Sequence, residues 1–150
     1  MTNGNSYASQ LANLLAEKGI RPSPQRIAIY TYLKQHKTHP TVDTVYSALS
    51  PDYPTLSRTT VYNTLHLFTQ NKLINAVNIE EGETRYDAEL EPHIHFKCSQ
   101  CGTIFDVFDD QLQDIYKKFT GDLPDGFKTE QAEISLWGLC SSCNTTKECN

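Results

Sequence analysis

Two Cys-x-x-Cys motifs, Cys98-Ser-Gln-Cys101 and Cys140-Ser-Ser-Cys143, constrain this chain more than any other feature. Two cysteines spaced in this way can bind one metal ion from a single tight turn, and two such pairs complete the tetrahedron of sulfurs typical of structural zinc. The 38 residues between the motifs (102–139) exceed the spacing of a compact zinc ribbon, so the ion is expected to hold together a whole subdomain. Two disulfides or a thioredoxin-like redox pair are the alternatives, and the redox pair would need a strand–Cys-x-x-Cys–helix order that the sequence lacks.

Length and charge limit what the chain can bind. A chain of 150 residues suits one domain or two very small ones. Residues 1–87 carry eight Lys/Arg and seven Asp/Glu, whereas residues 88–150 carry five and eleven. The acidic second half is a poor partner for phosphate, and the first half can bind DNA only if its basic side chains share one face.

We expect a cytoplasmic protein with no membrane segment. No run of 18 apolar residues is present, and Met1–Tyr7 is polar and uncharged, unlike a targeting segment. Five cysteines in such a chain indicate metal binding rather than secretion. The fifth, Cys149, is expected to be an exposed, non-essential thiol.

The first half has the pattern of a winged helix. Residues 73–79 and 84–86 are expected to be strands joined by a turn at Glu81-Gly82, and a hairpin that follows a helix-turn-helix makes a winged helix. Capping residues and apolar spacing predict four helices before this hairpin: 6–18, from Ser23-Pro24 through Leu33, from Thr41 through Leu49, and from Ser57 to Asn71.

The second half is expected to be a small α/β domain, so that the fold class is α+β. The predicted boundaries are a winged-helix DNA-binding domain at 1–87, a hinge linker at 88–92 and a zinc-binding domain at 93–150. Strands at 93–98 and 103–108, and a third within 127–139, are expected to form a three-stranded antiparallel sheet. A helix capped by Asp109 or Asp110 and ended by Gly121 is predicted between the second and third strands.

A second group of metal-ligating residues surrounds the first of these strands. Because side chains alternate along a strand, His93 and His95 share one face while Ile94 and Phe96 point into the core. Asp106 lies on the neighbouring strand. Asp87 ends the hairpin, and His39 lies in the turn before Pro40. A shared site requires these elements to converge, which the sequence alone does not establish, and the alternative is that these are solvated surface residues.

Several motifs follow one another along the chain: Arg21-Pro-Ser-Pro-Gln-Arg26, His39-Pro40, Thr60-Val-Tyr62, Arg85-Tyr-Asp87, His93-x-His95 and the two cysteine pairs. Their combination closely resembles the ferric uptake regulator superfamily, from about residue 10 to residue 143. The resemblance implies a homodimeric DNA-binding repressor, not an enzyme, whose C-terminal domain also dimerises.

Within the superfamily, the chain looks most like the peroxide-sensing branch. That branch typically binds its regulatory metal through three His and two Asp, and iron-uptake regulators typically carry Glu at the two carboxylate positions. Iron-uptake regulators often have a further site that uses residues flanking the strand histidines, and the residues here, Pro92 and Ile94, cannot bind a metal. The matching regulatory ligands are His39, Asp87, His93, His95 and Asp106.

The resemblance also implies the chemistry of sensing. Imidazole and carboxylate ligands suit Fe(II) or Mn(II), and the four thiolates favour zinc. In relatives of this branch, Fe(II) reacts with hydrogen peroxide and a ligand imidazole is oxidised, here His39 or His93. The metal then leaves, the hinge is freed and DNA binding weakens, while Mn(II) makes the protein insensitive.

The fourth helix is expected to read DNA, and the family implies an A·T-rich inverted-repeat operator. Its N-terminus can approach phosphate, Tyr62 can pack on thymine methyl groups, and Asn63 can pair with adenine in the major groove. The proposed DNA-contacting residues are Arg21, Ser57, Arg58, Thr60, Tyr62 and Asn63. Two alternatives remain: a sensor of iron or zinc availability without peroxide chemistry, and a mononuclear non-haem metalloenzyme, for which the sequence offers no nucleophile or cofactor motif.

Overall fold

The computed structural model describes residues 3–145, so Cys149 lies outside the described residues. The chain divides into two compact units, Met1–Leu90 and Glu91–Asn150. The boundary falls inside the segment 88–92, where the sequence predicted a linker. None of the helices described has both the length and the apolar character needed to cross a membrane.

The N-terminal unit contains four helices and a β-hairpin, in the predicted order. Helices α2, α3 and α4 begin after Ser23, Thr41 and Ser57, and each of these side chains accepts a hydrogen bond from the backbone N–H three residues on. The caps that the sequence predicted are therefore confirmed. The elements are α1 (Asn3–Glu17), α2 (Pro24–Gln35), α3 (Val42–Leu49), α4 (Arg58–Gln70), β1 (Asn75–Glu80) and β2 (Glu83–Asp87).

One apolar core holds this unit together. The predicted inward face of α4 is confirmed, because Val61, Leu65 and Phe68 are all completely buried. Tyr30 of α2 packs edge-on against the Phe68 ring, with centroids 5.9 Å apart. Burial of such side chains supplies most of the driving force for folding, at roughly 25 cal/mol per Å² of apolar surface. The core therefore fixes α4 while leaving the opposite side of the helix open.

The C-terminal unit is a three-stranded sheet with a helix between its second and third strands. The central strand is β3, with β4 on one side and β5 on the other. The elements are β3 (Ile94–Cys98), β4 (Ile104–Val107), α5 (Leu112–Gly121), β5 (Ser135–Gly138) and a short helix α6 (Ser141–Asn144).

The prediction of an all-antiparallel sheet is wrong. Strand β4 is antiparallel to β3, but β5 is parallel to it. Antiparallel neighbours need only a tight turn, whereas a parallel neighbour needs a long crossover. Strand β4 ends beside the start of β3, and the chain through α5 then passes to the other edge of the sheet, so β5 begins at the end at which β3 begins.

Two local predictions in this unit also need correction. Ile94 and Phe96 are only half-buried, whereas the alternating position His95 is buried, because three short strands offer too little surface to build a core on both faces. The cap of α5 is Gln111, and its side chain makes no capping hydrogen bond. The Asp109 carboxylate instead accepts a hydrogen bond from the Gln111 N–H at 2.7 Å. This hydrogen bond lies within the loop before α5 and does not cap the helix.

Replacing Ser23 by alanine should destabilise the N-terminal unit. The hydroxyl accepts the Arg26 N–H at 3.2 Å, and loss of such an N-cap costs about 1 kcal/mol of the free energy of unfolding. Denaturant unfolding of the full chain measures the effect. Ser47→Ala is the control, because Ser47 is exposed within α3, and it should change stability little. Equal stability of the two variants would show that the cap contributes nothing.

Candidate metal centres and nucleic-acid interface

Pairing of β3 with β5 brings the two cysteine motifs together. Cys98 ends β3 and lies opposite Gly138, so Cys140 follows two residues later at the same end of the sheet. The Cys101 and Cys140 sulfurs are 3.9 Å apart, close to the roughly 3.8 Å edge of a ZnS4 tetrahedron with 2.3 Å bonds. All four sulfurs, including that of Cys143, lie within 4.8 Å of one another and form no disulfide. The predicted cluster is therefore assembled.

The electrostatics of this cluster suit a cation. Backbone N–H groups of Cys101 and Cys140 donate to the Cys98 sulfur and lower the pKa of that thiol to about 6. Contact with the Thr103 hydroxyl lowers the pKa of Cys101. Hydrogen bonding to the Cys140 sulfur raises the pKa of Cys143 to about 12, because the last thiol must ionise beside its neighbours. Four thiolates fit this space around a dication, and zinc meets that requirement.

His93, His95 and Asp106 form the second cluster of the C-terminal unit. The Nε2 atoms of the two histidines are 2.9 Å apart, and a carboxylate oxygen of Asp106 lies 3.3 Å and 3.7 Å from them. The strand register explains why these side chains are close together, because His95 lies opposite Asp106 in the β3–β4 ladder. All three side chains are shielded from solvent, and the Phe108 ring packs 5.1 Å from the His93 ring. We call these residues the strand half-site.

The donors of the strand half-site fit a borderline or hard metal ion. His93 Nδ1 lies 2.7 Å from the Glu91 carbonyl, which can only accept, so the proton of this ring sits on Nδ1 and Nε2 presents a lone pair. That lone pair faces a second imidazole nitrogen and a carboxylate. Nitrogen and oxygen donors converging in this way suit Fe(II), Mn(II) or Zn(II) better than a soft ion.

His39 and Asp87 meet inside the N-terminal unit, and we call them the turn half-site. His39 Nε2 lies 3.4 Å from one Asp87 carboxylate oxygen, and the other oxygen accepts the Glu89 N–H at 2.9 Å. Both side chains are buried, at 2 % and 5 % exposure. A buried carboxylate is costly unless it is paired, and this one has both oxygens engaged. The pair supplies one nitrogen and one oxygen donor to a metal ion.

Arg85 holds the His39 backbone in an unusual conformation. His39 has a φ of +55°, a left-handed conformation that non-glycine residues seldom adopt. The Arg85 guanidinium donates to the His39 carbonyl at 3.2 Å and to Glu80 at 2.9 Å. The Tyr86 N–H donates to the Pro40 carbonyl at 3.0 Å. These contacts dock β2 on the turn and keep the His39 ring beside Asp87.

The candidate DNA-binding residues are spread along the exposed side of the N-terminal unit. Tyr62 is 52 % exposed, Asn63 is exposed, and Arg21 is exposed before α2. Tyr62 borders a cleft of about 350 Å³ shared with the N-terminal end of α3 and the turn of the hairpin. Ser57 and Thr60 bond to each other through their hydroxyls, at 2.9 Å. An exposed helix beside a hairpin can enter the major groove of DNA.

Arg58 already has protein partners. Its Nε donates to Asp43 at 2.8 Å, and its guanidinium lies 4.3 Å above the Tyr46 ring. Sequence reasoning predicted Arg58 but missed Asp43, because the two residues belong to different helices and their spacing carries no helical signal. A phosphate contact by Arg58 would have to replace the Asp43 carboxylate.

Comparison with known proteins decides the family. The sequence profile of the ferric uptake regulator family matches residues 17–137. The chain belongs to the ferric uptake regulator family. Members of this family are transcription regulators that bind DNA as dimers.

Three relatives illustrate the likeness. The peroxide-responsive repressor PerR of Staphylococcus aureus is 36% identical over 129 residues, which cover 86% of each chain. A structure of PerR from Streptococcus pyogenes is 30% identical, covers 91% of this chain and 92% of its own, and has a TM-score of 0.51. The ferric uptake regulator Fur of Helicobacter pylori is 20% identical, covers 93% of each chain and has a TM-score of 0.71. At 20% identity, the similarity to the H. pylori protein shows a shared fold and nothing further.

Two residues of this family member were not predicted as parts of the metal centres. Arg85 lies inside the Arg85-Tyr-Asp87 motif, so the motif offered a signal. Glu133 has a carboxylate oxygen 3.5 Å from His95 Nδ1, and its position before the third strand gave no sign of this contact. Its role depends on the parallel pairing of β5, which the sequence did not predict.

Substitution of Cys98 by serine should remove zinc and unfold the C-terminal unit or abolish dimerisation. Structural zinc contributes on the order of 10 kcal/mol to small zinc-dependent folds, and Cys98 is the most enclosed of the four sulfurs. Metal analysis and analytical ultracentrifugation measure zinc content and assembly. Cys149→Ser should match the parent protein in both. A well-folded, zinc-free Cys98→Ser dimer would contradict the structural role.

Proposed function

We propose that this protein is a metal-dependent, peroxide-responsive transcriptional repressor. The observation that carries the proposal is its 36% identity to the peroxide-responsive repressor of S. aureus over 86% of both chains. The peroxide-sensing relative from S. pyogenes adds support. Aspartates at positions 87 and 106, together with three histidines, complete the donor set that the motif comparison associates with this branch.

The turn half-site and the strand half-site would bind a single Fe(II) or Mn(II) ion. The first offers one imidazole and one carboxylate, and the second offers two imidazoles and one carboxylate, a set of borderline-to-hard donors. Residues 88–92 would serve as the hinge between the ligand sets. An ion bound by both sets would favour one orientation of the two units, so metal affinity and DNA affinity would be linked. The four cysteines would bind structural zinc separately.

Two of the ligands would act as the sensor. Bound Fe(II) would supply the reducing power that directs hydrogen peroxide against the nearest imidazole. His39 or His93 would be the oxidised residue: its imidazole would gain one oxygen atom from one hydrogen peroxide, whose other oxygen would leave as water. Oxidised imidazole is a weaker donor, so the ligand set would lose affinity and the hinge would be released.

The N-terminal unit would bind DNA as a winged helix. Helix α4 would lie in the major groove, with Tyr62 and Asn63 at base edges and the α4 N-terminus at phosphate. Ser57, Arg58 and Thr60 would approach the backbone, and Arg21 would probe the minor groove. The proposed target is an A·T-rich inverted repeat.

The C-terminal unit would form the homodimer. Its described residues include large apolar side chains that are strongly exposed, among them Phe119 at 64%, Phe127 at 67% and Trp137 at 60%. Exposed apolar patches of this kind mark interaction surfaces. A twofold dimer presents two copies of α4, and an inverted-repeat operator matches that symmetry.

Replacing Tyr62 by alanine should weaken operator binding without changing the regulatory metal affinity of the free protein. Loss of one specific base contact costs about 1–3 kcal/mol of discrimination. A fluorescence titration at fixed salt against operator and scrambled DNA measures it. Tyr7→Ala removes another exposed tyrosine, on α1, and should have no effect. Equal operator affinity of the Tyr62 variant and the parent would remove this residue from the DNA-reading set.

The Fe(II)-loaded protein should gain about one oxygen atom on exposure to micromolar peroxide and release DNA. The added mass should lie on the peptide containing His39 or His93, as located by tandem mass spectrometry. The Mn(II)-loaded protein is the control and should keep both its mass and its DNA. If the Fe(II) form holds DNA with unmodified histidines, the protein is instead an iron- or zinc-availability sensor.

The variant Asp87→Glu sharpens this test. It moves the carboxylate by one methylene and introduces the residue typical of iron-uptake regulators. We expect metal-dependent DNA binding to persist and peroxide sensitivity to fall. Unchanged peroxide sensitivity would mean that the length of this carboxylate side chain does not set the response.

A further inference from the structure

His95 has a polar group near each ring nitrogen, and the one near Nδ1 lies beyond ordinary hydrogen-bond distance. Its Nε2 faces His93 and Asp106 in the strand half-site, and its Nδ1 lies 3.5 Å from a carboxylate oxygen of Glu133. The His95 side chain is 7% exposed and that of Glu133 is 32% exposed. Glu133 therefore approaches from the far side of the imidazole, away from the other donors.

The β-ladder fixes the position of this carboxylate. His95 lies opposite Ser135 in the β3–β5 pairing, and the His95 N–H donates to the Ile134 carbonyl at 3.1 Å. Glu133 immediately precedes this hydrogen-bonded segment. The Ser135 hydroxyl donates to the same Glu133 oxygen at 3.3 Å. Backbone pairing and a side-chain hydrogen bond together hold the carboxylate beside His95.

In both histidines of the strand half-site, the group near Nδ1 indicates which ring nitrogen carries the proton. A carboxylate only accepts, so the negative charge of Glu133 at 3.5 Å favours the tautomer of His95 with its proton on Nδ1. The effect is weaker than that of the direct 2.7 Å contact between His93 and the Glu91 carbonyl. Both Nε2 atoms would then be available, together with Asp106, as donors to an ion bound in the strand half-site. Metal-binding histidines typically donate their second N–H to such a group, which fixes ring orientation and strengthens the donor nitrogen.

We propose that Glu133 is the positioning residue of His95. It holds the ring with Nδ1 protonated and Nε2 directed into the strand half-site, and its negative charge increases the electron density on Nε2. The proposal rests on the proposed function in one respect, namely that His95 Nε2 binds the regulatory ion. Glu133 is not itself a ligand, because its carboxylate lies at the opposite nitrogen.

The test uses the full-length, zinc-containing protein and Mn(II) as the probe. Glu133→Ala should weaken Mn(II) binding roughly 10–100-fold, the usual effect of removing such a partner. Glu133→Gln keeps an acceptor oxygen without the charge and should give a smaller loss. Glu130→Gln, an exposed glutamate on the same segment, should bind as the parent does. His95→Ala should lose the regulatory ion.

A spectroscopic measurement separates positioning from a loss of structure. Long-range ¹H–¹⁵N spectra of histidine-labelled protein report which ring nitrogen carries the proton. We expect Nδ1–H for His95 in the parent and in Glu130→Gln, and a mixture of tautomers in Glu133→Ala, with thermal stability of all three nearly equal.

The outcomes are distinguishable. If Glu133→Ala matches the parent in Mn(II) affinity and in the His95 tautomer while His95→Ala loses the ion, the positioning role is wrong and the proposed function stands. If Glu133→Ala loses the ion as completely as His95→Ala, Glu133 is a ligand and the positioning role is again wrong. If His95→Ala binds Mn(II) like the parent, both this inference and the proposed regulatory site are overturned.

Discussion

The hydrogen-bonded ladder of β3 is the constraint on which both metal centres of the C-terminal unit depend. Its pairing with β4 places Asp106 opposite His95, and its pairing with β5 places Gly138 opposite Cys98. One strand therefore organises a nitrogen–oxygen cluster near its beginning and a sulfur cluster at its end. A shift of register by one residue would turn every side chain to the other face and would disassemble both clusters.

The same strand keeps the two groups of candidate metal ligands apart. His95 and Cys98 are three residues apart, about 10 Å along an extended chain, and point to opposite faces. Distance and direction prevent one ion from taking donors of both kinds, and donor softness favours zinc at the sulfurs and Fe(II) or Mn(II) at the imidazoles and carboxylates.

Local signals in the sequence predicted much of this arrangement. The caps at Ser23, Thr41 and Ser57, the apolar face of α4 and the cysteine spacing each depend on residues within a few positions, so they could be read directly. The parallel direction of β5 could not be predicted in this way, because it depends on the path of the crossover rather than on any pattern within the strand. For the same reason the roles of Glu133 and Asp43 were missed, since each contacts a residue far away in the chain.

The charge of the N-terminal unit explains why metal control of DNA binding is physically reasonable. Its basic and acidic residues nearly balance, and Arg58 is neutralised by Asp43 in a pair whose side chains are 62% and 73% exposed. Such an exposed pair is worth about 0–1 kcal/mol, so phosphate can replace Asp43 at small cost, but bulk attraction to DNA is weak. In the proposed complex, affinity would then come from two correctly spaced α4 helices acting together. If the protein binds DNA tightly only when its two units adopt one orientation, a metal ion that controls the hinge can switch DNA binding on and off.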